Sequence, residues 1–70
     1  MKIKGTIKYI TLETGFWGIE GNQGQKYVPV NMPEQLKHEG REVEVSAELV
    51  NDIAGLQMWG QYIKVTSFET

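Results

Sequence analysis

The side chains best able to do chemistry here are aromatic rings set among lysines. Lys8 and Tyr9, then Phe16, then Lys26 and Tyr27 fall within the first thirty residues. Aromatic faces stack on nucleobases and ammonium groups attract phosphates, so this interleaving suits a single-stranded nucleic acid. Trp59, in Met58-Trp59-Gly60, is a further candidate, either capping a packed core or stacking on a ligand from a loop. Glu42, Glu44 and Glu48 supply carboxylates of the kind glycoside chemistry uses in pairs. They alternate along one segment with no partner segment, so they read as a solvated face. His38, beside Glu39, reads as a surface residue. With no cysteine and one histidine, the chain lacks disulfides, thiolate zinc sites, a cysteine nucleophile and an all-histidine metal cage. No nucleophile–base constellation or phosphate-binding glycine loop is present. The expectation is a non-enzymatic protein with no cofactor and no metal.

The elements that must position these residues follow from hydrophobic periodicity. Over residues 2 to 12, Ile3 and Ile7 alternate with Lys2, Lys4, Thr6 and Lys8, as a half-buried strand requires. The parity then moves to Ile10 and Leu12, which predicts a bulge or coil near Tyr9. Gly15 to Glu20 and Gln25 to Val30 flank Gly21-Asn22-Gln23-Gly24 and read as a hairpin, with Pro29 at an edge, a bulge or a strand end. Strand parity sends Phe16 and Trp17 to opposite faces, with Trp17 assigned to the core beside Ile19 and Phe16 outward.

Asn31-Met32-Pro33-Glu34 has the pattern of a helix start, with Asn31 as N-cap and Gly40 as the stop. It predicts about two turns of helix with Met32 and Leu36 toward the core. Residues 41 to 50 alternate cleanly, with Val43, Val45, Ala47 and Leu49 inward. Asn51-Asp52 opens a turn, and a last strand is expected from about Leu56 to Phe68, with Ile63 and Val65 inward and a bend at Gly60.

Three strands, a short helix and two strands is the order of the OB-fold, a five-stranded Greek-key barrel. All 70 residues fit one such all-β domain with one short helix. The second and third strands of that fold, with the loops after the first and fourth, form its usual binding surface. Charge follows the same division. Residues 1 to 30 carry four lysines against two glutamates, a balance of +2, and residues 31 to 70 carry the remaining −4 of a net −2. The first three strands are therefore the less acidic side, which weakens the objection that a net charge of −2 raises to an anionic partner.

Gly5-Thr6-Ile7-Lys8-Tyr9, Thr14-Gly15-Phe16-Trp17-Gly18-Ile19 and Tyr27-Val28-Pro29-Val30 resemble the opening of cold-shock domains, small OB-fold binders of single-stranded nucleic acid. The resemblance spans roughly the first half of the chain, and Gly40-Arg41-Glu42-Val43-Glu44-Val45 fits the fourth strand. It implies nucleic-acid contacts from Lys8, Tyr9, Phe16 and Tyr27. Gly18 stands where that family has a second stacking aromatic, Pro29 where it has a histidine and Val30 where it has another aromatic. The set Gly15 to Ile19, Lys26 to Pro33 and Met58 to Gly60 is also similar to small OB-fold domains without assigned activity.

The sequence thus points to a binding module for single-stranded nucleic acid through Lys8, Tyr9, Phe16, Lys26 and Tyr27, with Trp59 as a candidate ligand-loop residue. The alternative is a domain that docks a protein or a carbohydrate on the same face. No apolar run near Met1 has the length of a secretory signal and none reaches a membrane span, so the expected address is the cytoplasm.

Overall fold

A computed structural model describes residues 1–12, 15–50 and 59–69. Five strands form a closed barrel: β1 (Lys2–Ile10), β2 (Phe16–Gly21), β3 (Lys26–Pro29), β4 (Glu42–Leu49) and β5 (Gln61–Glu69). The order around the barrel is β1-β2-β3-β5-β4, with β4 closing on β1. Every pairing is antiparallel except that of β3 with β5.

The inward residues of each strand are mostly β-branched, which suits a pleated and half-buried surface. Ile3 and Ile7 of β1, Ile19 of β2, Val43, Val45 and Ala47 of β4, and Ile63 and Val65 of β5 form the core with Leu36. Full burial of an Ile or Leu side chain contributes on the order of 1.5–3 kcal/mol. Leu49, expected inward, keeps the parity but is half exposed, because it lies at the end of β4 where the barrel opens.

β1 serves two neighbours. Lys2 to Thr6 pair with β4 and Gly5 to Ile10 pair with β2, so Gly5 and Thr6 face both. A Cβ on Gly5 would lie 2.9 Å from the Glu20 carbonyl carbon, so only glycine admits β2 this closely. Of the bulge or coil expected near Tyr9, no bulge is present, and irregular chain begins only at Thr11, after β1 has ended. The β1–β2 register runs unbroken to Ile10, and Tyr9 faces Trp17 on the inward side at the barrel's end. The irregularity instead falls between Ser46 and Ala47 against β5, where Thr66 is the extra residue and its hydroxyl donates to the Ser46 carbonyl at 3.1 Å.

The predicted two-turn helix is a single 3₁₀ turn over Glu34–Leu36. Its N-cap is Pro33, in extended geometry, and no side chain caps it. Leu36 is fully buried and Met32 packs against the core, as expected, but one tight turn suffices to place them. Glu34 accepts a 2.8 Å ion pair from Lys37 instead of reaching back to a cap.

Asn31 has a different task. Its carboxamide donates to the Val65 carbonyl at 2.9 Å and accepts from the Val65 N–H at 2.8 Å. β3 has only four residues, and after Val30 donates to Ile63 the chain leaves the sheet. The Asn31 side chain then supplies the next rung of the parallel ladder.

A similar substitution closes β1 beyond β4. Arg41 accepts from the Ile7 N–H, Gly40 donates to the Ile7 carbonyl, and the Glu39 carboxylate accepts from the Tyr9 N–H at 3.2 Å. The described part of the last strand begins at Gln61, and the bend expected at Gly60 is present. The expected start at Leu56, the Asn51-Asp52 turn and Met58 lie outside the described residues. No helix among the described residues is long and apolar enough to cross a membrane.

Candidate nucleic-acid interface

The outer face of β2 is set by parity. Ile19 points into the core, so Phe16, Gly18 and Glu20 point out, and their β1 partners Ile10, Lys8 and Thr6 point out beside them. Lys26 of β3 lies across from Glu20 on the same face. Val28 is buried yet outside the core cluster, and it shares this face with Tyr62 of β5.

Trp59 completes the face from just before β5. Its indole rests on Gly18, where a Cβ would lie 2.7 Å from Cη2 and nearer still to Cζ3. Phe16 meets the same indole edge to face, with centroids 6.1 Å apart and planes at 71°. The Lys26 ammonium lies 5.6 Å from the ring centroid, a cation–π contact worth about 0.5–1 kcal/mol at an exposed site. Trp59 therefore covers the middle of the β2 wall; it does not cap the barrel's end.

Of the residues singled out from the sequence, Lys8, Phe16, Lys26 and Trp59 come together on this face. Lys8 sits directly opposite Gly18. Phe16 and Trp59 are both half-buried, which leaves part of each ring open. Among the described residues, neither Lys8 nor Lys26 has a carboxylate within ion-pair distance; the ion pair found there is Lys37 with Glu34.

Tyr9 and Tyr27 lie elsewhere. Tyr9 is exposed and packs edge to face on Trp17 at 5.1 Å. Trp17 in turn packs on the core from β2, as its parity requires. Tyr27 pairs with Ile19, and this register turns it inward, where it packs half-buried against the core.

Gly18 is the position on this face whose neighbour the sequence did not reveal. A glycine at outward parity inside an aromatic strand is the mark of close approach by another group, but the identity of that group depends on a contact with a residue 41 positions away.

No protein-family model, curated protein or solved structure matches the chain.

Proposed function

We propose that this barrel is an OB-fold that binds single-stranded nucleic acid without catalysis, on the outer face of β2 and β3. The fold reading rests on the strand order β1-β2-β3-β5-β4 with a parallel β3–β5 closure and on the turn placed between β3 and β4. The observation that carries the functional reading is the Phe16–Trp59 pair flanked by Lys8 and Lys26. Bases stack on the open parts of the two rings, and the two ammonium groups take phosphates. Lys26 gives up only a weak cation–π contact to do so. On the cold-shock resemblance, the indole of Trp59 occupies the place left open by Gly18.

Fluorescence anisotropy of a labelled mixed-sequence octanucleotide tests this reading. Affinity should fall steeply with added salt, with a log–log slope of about −0.7 per phosphate contact. Phe16→Ala should weaken binding by about 1–3 kcal/mol, the usual loss of one stacked base. Binding that ignores salt would sink the proposal and favour apolar docking of a protein, and so would an unchanged Phe16→Ala variant.

A further inference from the structure

A second feature lies beyond the aromatic face, where β1 runs past the tip of the β2–β3 hairpin. β1 has β2 as a strand neighbour only from Gly5 onward, and after Asn22 donates to the Lys4 carbonyl the hairpin swings away. Lys2 to Lys4 then keep a neighbour only in β4. The space opened on the other side is a cleft of about 560 Å³, within the range of small-ligand sites. Lys2, Lys4, Asn22, Gln25, Tyr27 and Glu44 line it.

The donor set is mixed in a particular way. Two exposed ammonium groups bring positive charge, and neither is within ion-pair distance of a described carboxylate. Glu44, half-buried on β4 directly across from Lys4, is a bare acceptor that accepts no hydrogen bond among the described residues. A simple anion would suit the lysines and be repelled by Glu44. A neutral sugar would suit Glu44 and the amides and leave the lysines idle. A ligand carrying both a phosphate and a free hydroxyl satisfies all of them: phosphate on Lys2 and Lys4, hydroxyl donating to the Glu44 carboxylate, and the Asn22 and Gln25 amides completing the contacts to phosphate and sugar oxygens. Tyr27, turned away from the stacking face, forms a wall here.

We infer that this cleft is a ribose-phosphate site, and that it gives the barrel a preference for RNA over DNA. The inference rests on the nucleic-acid reading above for its source of ribose phosphate. Gln25 and Lys26 are adjacent, so a strand stacked on Phe16 and Trp59 and held by Lys26 reaches the cleft by continuing past the hairpin tip. The 2′-hydroxyl is the group that distinguishes the two nucleic acids at such a site, and Glu44 is the acceptor placed to read it. A free sugar phosphate has the same chemistry and is the other source.

The test compares matched oligoribonucleotides and oligodeoxyribonucleotides by anisotropy, with free ribose 5-phosphate titrated separately by NMR. Wild-type protein should bind the RNA several-fold more tightly. Glu44→Val removes both the acceptor and a negative charge, so DNA affinity should rise while the RNA-to-DNA ratio falls toward one. A merely structural role for Glu44 would weaken both together. The double variant Lys2→Gln, Lys4→Gln should reduce the salt slope by about 0.7 for each lost contact. If both variants keep the wild-type ratio and slope while Phe16→Ala still weakens binding, the cleft inference is overturned and the stacking face stands. If neither oligonucleotide binds, the nucleic-acid reading fails. Shifts at the Lys4 and Asn22 amides with ribose 5-phosphate would then support a free sugar-phosphate site, and their absence would overturn it.

Discussion

Asn31 is the residue whose replacement separates a helix cap from a surrogate strand. Its two hydrogen bonds, 2.9 and 2.8 Å long, both go to the backbone of Val65 and are partly buried. Each such bond contributes about 1 kcal/mol net, and a desolvated group left without a partner costs somewhat more. Asn31→Ala should therefore cost about 2–3 kcal/mol. That is a large share of the roughly 3–10 kcal/mol expected for a chain of 70 residues.

Asn31→Asp keeps an acceptor for the Val65 N–H but at neutral pH turns a second oxygen toward the Val65 carbonyl. It should lie near or below the alanine variant at pH 7. In acid the new carboxyl group can donate to that carbonyl, so folding favours its protonated form and raises its pKa above the ordinary value of about 3.9. A group raised on folding stabilises below its unfolded pKa and loses that contribution as pH climbs through the folded one. The deficit of Asn31→Asp relative to wild type should therefore be smallest and level below about pH 4, and grow as pH climbs from there through the raised folded pKa. Urea denaturation followed by tryptophan fluorescence at several pH values measures this. An alanine variant within about 0.5 kcal/mol of wild type, the range of an ordinary surface change, would refute the strand-surrogate account. An aspartate deficit that does not vary with pH would refute the assigned bond to the Val65 carbonyl.

Other outcomes follow from the same packing. Gly5→Ala and Gly18→Ala should diverge although both add one methyl group: the first meets the Glu20 backbone and the second meets the far edge of the Trp59 side chain, which can shift more cheaply than backbone. Urea midpoints should show a cost of about 1–3 kcal/mol for Gly5→Ala and little for Gly18→Ala, which should instead lose the Phe16–Trp59 ring NOEs. Equal costs would contradict the assigned contacts. Leu36→Ala, which empties a fully buried position, should cost about 2–5 kcal/mol and unfold much of the population at 37 °C as read by circular dichroism; a smaller loss would mean that the 3₁₀ turn does not plug the barrel.

Much of the barrel was legible because period-two alternation is a local signal. Val43, Val45 and Ala47 announce the inner face of β4 without help from any other segment, and Gly21 to Gly24 announce the hairpin. Failures cluster where a distant partner decides. Asn31 two positions before a proline has the chemistry of a helix cap, and nothing nearby reveals that Val65 has an unpaired rung to offer. Tyr9 falls near an apparent change of parity, yet the Glu39 carboxylate and the facing Trp17 hold it in the ladder. Tyr27 looks like a stacking residue by type, and only the β2–β3 register turns it inward. For the candidate site, Lys8, Phe16 and Lys26 were readable from composition and parity. The seating of Trp59 on Gly18 was not, because a loop side chain's destination is a tertiary fact.

A backbone NMR titration with a mixed-sequence octaribonucleotide at low salt tests the central claim most directly. The Lys8, Phe16, Gly18 and Lys26 amides and the Trp59 indole N–H should shift together and saturate. Glu48 and Lys64, paired on the wall of β4 and β5, should stay still. Shifts confined to that second wall, or Phe16 and Lys26 signals that do not move at millimolar ligand, would contradict the assignment of the β2–β3 face as a nucleic-acid interface.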